Sequence, residues 1–359
     1  MSKILNYMNP GVLFGKDIQK IFNIAKKNNF AIPAINCINI DSINAVLEAS
    51  SIAKSPIIIQ LSYGGSKFIS GYGIKNVSEI EKSVLGAISA AKYIHKISKI
   101  YGVPVILHTD HCNKKILPWL DRMLLEGKRY FLKKQTPLFS SHMIDLSQEN
   151  IEFNIKKSKD YFIKMSEIEM SIEIELGCTG GEEDGVDNSN IEISKLYTHP
   201  KEVLYAYKNM KKINSNFTIA ASFGNVHGVY KKGNIKLSPD ILKKSQKIVS
   251  KKYNLQKNPV NFVFHGGSGS SVNEIKKSIS YGVVKINIDT DIQWSIWHGI
   301  LEYYNKYKPY LKSQLGNPQD KNSPNKKYYD PRVWIRKSQK SILKKMFFLF
   351  DIFNSINRL

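Results

Sequence analysis

Eight short apolar runs recur along the chain, each separated from the next by a polar stretch of helical period. In order they are Phe30–Ile35, Pro56–Leu61, Pro104–Leu107, Leu138–Met143, Ser171–Leu176, Thr218–Phe223, Asn261–Phe264 and Val283–Ile286. Between the first two, Ser42–Lys54 puts Ile43, Val46, Leu47, Ser50 and Ile52 mostly on one helical face. After the seventh, Ser271 and Glu274 have the spacing of a capping box ahead of a short helix. Such alternation demands parallel strands, because parallel neighbours need a long crossover, usually a helix. Strands buried on both faces, right-handed crossovers and a count of eight favour a closed α/β cylinder, the (β/α)8 TIM barrel. An open doubly wound sheet is the alternative, since a strand or two can be miscounted from one sequence.

Three segments stand outside the repeat. Lys16–Asn29 reads as an amphipathic helix before the first strand, suited to cover the barrel floor. Gly177–Asn190, rich in glycine and acid, reads as a mobile loop after strand five. Lys312–Lys327, with Pro318 and Pro324, reads as a polar connector to a helical extension from Asp330 onward. Residues 1–359 are thus expected to form a single domain, with a core over about 30–306 and an extension over 307–359.

Composition excludes several classes of function. Met346–Phe353, the longest apolar run near either end, falls far short of the roughly 20 residues that span a bilayer. The N-terminus lacks the apolar core of an export signal, so a cytoplasmic location is expected. Three cysteines, Cys37, Cys112 and Cys178, are too few and too scattered for a disulfide framework or a zinc knuckle. The net charge of +23 is almost all lysine: of 53 basic residues only Arg122, Arg129, Arg332, Arg336 and Arg358 are arginine. The lysines are scattered over expected helix surfaces without an aromatic-interleaved stripe, which argues against a specific nucleic-acid partner. An anionic substrate would be electrostatically favoured.

The polar residues that stand out share one topological position, at or just past the end of an expected strand. Asn36 follows strand one, Ser62 strand two, Asp110 and His111 strand three, Asp145 strand four, Glu175 strand five, His227 strand six, His265 strand seven, and Asn287 and Asp289 strand eight. In a barrel these positions face one mouth, where barrel enzymes build their sites. Histidines converging there suit a catalytic divalent metal, most naturally Zn²⁺, with a coordination position left open. Within His108-Thr109-Asp110-His111 the spacing leaves open which histidine coordinates: His108 shares a strand face with Asp110, whereas His111 needs the chain to turn just past the strand.

A second signal is a phosphate cradle. His265-Gly266-Gly267-Ser268-Gly269-Ser270 lies between strand seven and a helix, so backbone N–H groups and hydroxyls can approach an anion. Asn287-Ile288-Asp289-Thr290 repeats the arrangement after strand eight, and these two loops are the usual phosphate site of the fold.

With these residues in view, the chain closely resembles the class II, metal-dependent fructose-bisphosphate aldolases of the longer bacterial type. The likeness is carried by Pro104–Cys112 (PVILHTDHC), Phe139–Ser147 (FSSHMIDLS), Glu173–Asn188 (EIELGCTGGEEDGVDN), Ala221–Tyr230 (ASFGNVHGVY), Phe264–Ser270 (FHGGSGS), Lys285–Thr290 (KINIDT) and Asn325–Trp334 (NKKYYDPRVW), which span nearly the whole length. The resemblance implies that His111, His227 and His265 hold the catalytic Zn²⁺, with Asp145 and Glu175 at a second or alternative metal position. It implies that Gly228, Gly266, Gly267, Ser268, Asn287, Ile288, Asp289 and Thr290 bind the dihydroxyacetone-phosphate half, with a monovalent cation (K⁺ or Na⁺) nearby. Asn36, Ser62, Lys326 and Arg332 would approach the other half, Arg332 from the neighbouring subunit of a homodimer. Tyr63 departs from the asparagine more usual in relatives after Ser62.

The resemblance further implies that Glu183 exchanges the proton at the carbanionic carbon of dihydroxyacetone phosphate, while Asp110 acts on the aldehyde half. Three rival readings are distinguishable. A Schiff-base aldolase would need a strand lysine, for which Lys285 is the one candidate, although a carboxylate partner suits that residue better. A basic polyanion-binding protein would keep its affinity after loss of His227 and His265. Tagatose bisphosphate, differing from fructose bisphosphate only at C4, is the alternative substrate within the family.

Overall fold

The computed structural model describes residues 3–183, 186–187, 192–226, 236–268 and 270–359, with residues 182, 183, 186 and 187 as backbone only. Eight parallel strands close into a barrel: β1 (Ile32–Asn36), β2 (Ile57–Leu61), β3 (Pro104–Thr109), β4 (Ser141–Ile144), β5 (Ser171–Leu176), β6 (Phe217–Ala221), β7 (Phe262–Phe264) and β8 (Val283–Ile288). Each pairs in parallel with the next, and β8 pairs with β1 through Lys285–Ile32 to Ile288–Ile35, which completes the ring. The open sheet is thereby excluded. Every residue of these strands is buried, as expected for a parallel sheet covered on both faces.

The observed strands differ from the expected ones at their ends. β1 and β8 run on to Asn36 and Ile288, so Asn36 and Asn287 are strand residues rather than loop residues. Both are polar, which masked the strand ends in an apolar-run reading, yet both amides find partners inside the barrel. The segment after β5 also departs from a featureless loop, because Glu182–Glu183 pairs antiparallel with Val186–Asp187. An Asp184-Gly185 pair separates the two, a dipeptide typical of two-residue hairpins, and this signal was outweighed by the glycine content.

The helices α1 (Lys16–Lys27), α2 (Ile40–Ala53), α3 (Tyr63–Ser70), α4 (Glu79–Tyr101), α5 (Leu117–Lys134), α6 (Ile151–Ser166), α7 (Pro200–Lys211), α8 (Asp240–Tyr253), α9 (Val272–Ser280) and α10 (Thr290–Tyr307) precede or follow the strands. Several begin on their own sequence signals: Asn39 with Ser42 for α2, Ser78 with Glu81 for α4, and Ser271 with Glu274 for α9 form capping boxes.

The floor is sealed by α1. Its Ile18, Ile21, Phe22 and Ala25 pack with Ile32, Ala34, Ile58, Ile106 and Val284 from the lower barrel in one apolar cluster. Burying each of the larger side chains contributes about 1.5–3 kcal/mol, ample to hold the plug in place. The connector carries only α11 (Lys326–Tyr329) and an isolated Leu315–Pro324 bridge, and the extension is α12 (Pro331–Ile352), which packs against α2 and α10. Among the described residues no helix is long and apolar enough to cross a membrane.

Candidate active site

With the floor closed, the C-terminal ends of the strands form the accessible mouth, and most of the expected site residues are found there. Directly after β3 the chain turns sharply, and His111 adopts a left-handed φ of 35°. A non-glycine residue pays for that conformation, so surrounding contacts must hold it. The turn brings His111 Nδ1 to 3.4 Å from Asp145 Oδ2 and 3.8 Å from Glu175 Oε2. His265, just past β7, lies with its ring centroid 4.8 Å from that of His111, and its Nδ1 is 3.3 Å from the same Glu175 oxygen. Four strand ends thus deliver two imidazoles and two carboxylates to one point, and Asp110 completes a further group with His111 and His265.

Electrostatics mark this point as a cation site. Burial alone would push the His265 imidazole down, but the Glu175 and Glu173 carboxylates override it and raise it to about 9. Burial likewise works against ionised Asp145, yet the His111 hydrogen bond and those from Ser147 N and Oγ hold it at about 2. Among the described residues Glu175 Oε2 is buried and accepts no conventional hydrogen bond, whereas Oε1 accepts from Thr179 N and Oγ1. An environment that draws a proton onto an imidazole this strongly carries surplus negative charge. The donor set of imidazole and carboxylate therefore fits a borderline divalent ion such as zinc.

Beneath the mouth lies a second buried group with its own fixed cation. The Lys285 ammonium donates to both Glu173 oxygens at 2.8 Å, and His265 Nε2 donates to Glu173 Oε1 at 2.9 Å. Burial opposes ionisation of Glu173, but Lys285 keeps it well below the usual carboxylate range. An ionised carboxylate can only accept, so the proton of that bond sits on His265 Nε2. His108 Nε2 is 3.8 Å from Glu173 Oε2, and its Nδ1 hydrogen-bonds Ser141 Oγ at 2.7 Å. His108, Asp110 and Glu173 could also hold an ion, but Lys285 already supplies the positive charge there. Burial foremost, then Lys285, depresses His108 well below its ordinary value, so it stays neutral.

The Asp110 carboxylate is held by three amides. Asn36 Nδ2 donates to Oδ2 at 3.2 Å, Gln60 Nε2 to Oδ2 at 3.0 Å, and Asn287 Nδ2 to Oδ1 at 3.4 Å. Gln60 also donates to Asn36 Oδ1 at 2.6 Å, fixing the orientation of that amide. Gln60 and Glu173 were missed by a reading confined to strand ends. The available signal was a polar residue inside an apolar strand, as in Ile57-Ile58-Ile59-Gln60-Leu61.

The expected phosphate loops are adjacent. Gly266 has φ 62°, and Gly267 N donates to Asn287 O at 3.3 Å, tying the loop after β7 to β8. A Cβ at Gly267 would stand 2.6 Å from Ile286 Cγ2, so no other residue fits there without movement. Ser268 is buried, Ile288 ends β8, Asp289 stands at the position just before α10, and Thr290 opens that helix. Ser62 instead caps α3, accepting from Gly65 N at 3.1 Å. Lys326 is exposed on α11, and Arg332, expected to act from a neighbouring subunit, is 89% exposed and bonded to Asp330 of its own chain. His227 and Gly228 lie outside the described residues, as does the side chain of Glu183.

Comparison with known proteins agrees with this geometry. The family model "Fructose-bisphosphate aldolase class-II" matches residues 16–358. A protein of Buchnera aphidicola subsp. Baizongia pistaciae named fructose-bisphosphate aldolase class 2 is 59% identical, with all of both chains covered. The Escherichia coli K12 protein of the same name is 57% identical over 99% of each chain. The crystal structure of fructose-bisphosphate aldolase from Campylobacter jejuni superposes with a TM-score of 0.92 at 50% identity, covering 100% of both chains.

Proposed function

The chain belongs to the class II fructose-bisphosphate aldolase family, and from that premise we propose that it catalyses the reversible, zinc-dependent cleavage of fructose 1,6-bisphosphate to dihydroxyacetone phosphate and glyceraldehyde 3-phosphate. On this reading it is a cytoplasmic homodimer acting in glycolysis and gluconeogenesis. The observation that carries the proposal is the meeting of His111, His265, Asp145, Glu175 and Asp110 at one barrel mouth.

His111, His227 and His265 would hold the zinc, with Asp145 and Glu175 offering a second divalent position. Bound there, the ion would supply Lewis-acid polarisation of the substrate ketone and so favour breaking of the C3–C4 bond. Glu173, by accepting the hydrogen bond from His265 Nε2–H, leaves Nδ1 as the nitrogen facing the site. Asp110, aimed by Asn36, Gln60 and Asn287, accepts the C4 hydroxyl proton in cleavage and returns it in condensation. Glu183 exchanges the proton on the carbon that becomes part of dihydroxyacetone phosphate. Two carboxylates with opposite partners are what a reversible aldol reaction needs.

The backbone and hydroxyls of Gly266, Gly267, Ser268 and Asn287 to Thr290, with Gly228, would cradle the dihydroxyacetone-phosphate half beside a K⁺ or Na⁺ ion. Asn36, Ser62 and Lys326 would serve the other half. Arg332, which is largely exposed, would reach it from the neighbouring subunit.

The test is a coupled assay with fructose and tagatose 1,6-bisphosphates, run on protein as purified, after chelation and after zinc addition. Zinc-restored cleavage of fructose bisphosphate supports the proposal. Undiminished cleavage after complete metal removal, or cleavage of the tagatose isomer alone, overturns it.

A further inference from the structure

On the floor, opposite the mouth, lies an open cleft of about 830 Å³ between α1, Tyr207 of α7 and the segment leading into β7. Lys26, Lys27 and Lys257 line it together with the amides of Gln19, Asn23, Asn29, Gln256 and Asn258, and no Asp or Glu is among the described lining residues. Elsewhere, lysines such as Lys67, Lys82, Lys114 and Lys277 rest on carboxylates. Lys26 differs. Its Nζ donates to the backbone carbonyl of Asn258 at 3.0 Å, and no ion pair to it is present among the described residues.

We propose that this cleft is a phosphate-guided modification site, in which the Lys26 amine condenses with the carbonyl of a phosphorylated aldehyde. Lys27 and Lys257 supply the positive charge that draws the phosphate, and the amides can donate to its oxygens. The lone pair of neutral Lys26 attacks the carbonyl carbon, and the carbonyl oxygen takes up the proton released by nitrogen, giving a carbinolamine. Loss of water leaves an imine. A proton shift from the adjacent hydroxyl-bearing carbon then yields a stable ketoamine, with no oxidant or reductant consumed.

Burial lowers the Lys26 ammonium to about 8, so about a quarter is neutral at pH 7.5, against roughly one part in a thousand for an ordinary lysine. A less basic amine is also intrinsically less nucleophilic. With a sensitivity like that of thiols this offsets roughly tenfold, leaving a net advantage of about tenfold to twentyfold. Under the proposed function the aldehyde is the chain's own product, but the inference does not require that activity, because the test supplies the reagent.

Full-length protein is incubated at pH 7.5 with glyceraldehyde 3-phosphate or with unphosphorylated glyceraldehyde. Adducts are fixed with cyanoborohydride and quantified by peptide mass spectrometry. Lys26 should be labelled about tenfold faster than the median lysine by the phosphorylated aldehyde, and Lys27→Gln with Lys257→Gln should reduce that preference. Lys26→Arg should remove the fast-labelled position. Labelling of Lys26 at the median rate, or equal preference with the unphosphorylated aldehyde, overturns the proposal.

Discussion

The Lys285 ammonium sits 2.8 Å from both oxygens of the Glu173 carboxylate, with each side chain only 2% exposed. This pairing removes Lys285 as a Schiff-base nucleophile, since its charge is fixed on a carboxylate that also orients His265. Lys285→Met would leave a buried carboxylate without its cation and is expected to cost about 3–5 kcal/mol in urea unfolding. Adding Glu173→Gln should recover part of that loss. Rapid borohydride quenching during turnover of fructose bisphosphate should leave Lys285 unmodified.

Metal and activity should travel together. His111→Ala is expected to lose bound zinc, measured by elemental analysis, and turnover in the same preparation. A variant that retained stoichiometric zinc at the mouth would contradict the assignment of His111.

The three amides around Asp110 separate chemistry from positioning. Asp110→Asn removes the proton acceptor, and kcat for cleavage should fall by roughly 10²–10⁴ with little change in KM. Gln60→Met keeps the acceptor but removes one of its three amide donors and the bond that fixes Asn36, so a smaller drop in kcat, about tenfold, is expected. Equal effects of the two changes would show that Gln60 has more than an aiming role.

Gly267→Ala puts a methyl group 2.6 Å from Ile286 Cγ2 and 3.1 Å from Asn287 O. The loop must move off β8, at a cost of about 1–3 kcal/mol in stability. KM for the bisphosphate should rise, read by steady-state kinetics, because backbone donors of the same loop are displaced.

A pH-dependent contact ties the extension to the barrel. Arg336 donates from both terminal nitrogens to Glu48 at 2.6 Å, and these bonds lower the Glu48 carboxyl below its usual range. Stability from this pair is therefore complete above the unfolded carboxyl value of about 4.3 and fades as pH falls through the lower folded value. The pair is partly exposed, so Glu48→Gln should cost only about 1 kcal/mol at pH 7. Thermal unfolding should show that difference vanish in strong acid.

The barrel was legible in the sequence because burial on both faces leaves uninterrupted runs such as Ile57–Leu61, and eight of them in alternation with helices suit a closed ring, which the pairing of β8 with β1 then separates from an open sheet. Strand-end position likewise pointed to Asp110, His111, Asp145, Glu175 and His265, which topology alone brings to one mouth. Gln60 and Glu173 were harder to find because a polar residue mid-strand is ambiguous until its partner across the barrel is known. Asn36 and Lys285 are 249 residues apart in sequence, yet their strands β1 and β8 are neighbours because the ring closes. Spacing left His108 and His111 open, and the backbone turn with φ 35° that carries His111 beside Asp145 and Glu175 is one that no periodicity encodes.

The apolar plug formed by α1 makes the cylinder a dead end. On the proposed reading, substrate and both fragments would enter and leave by the one open face, since the opposite end of the barrel is filled by that apolar cluster.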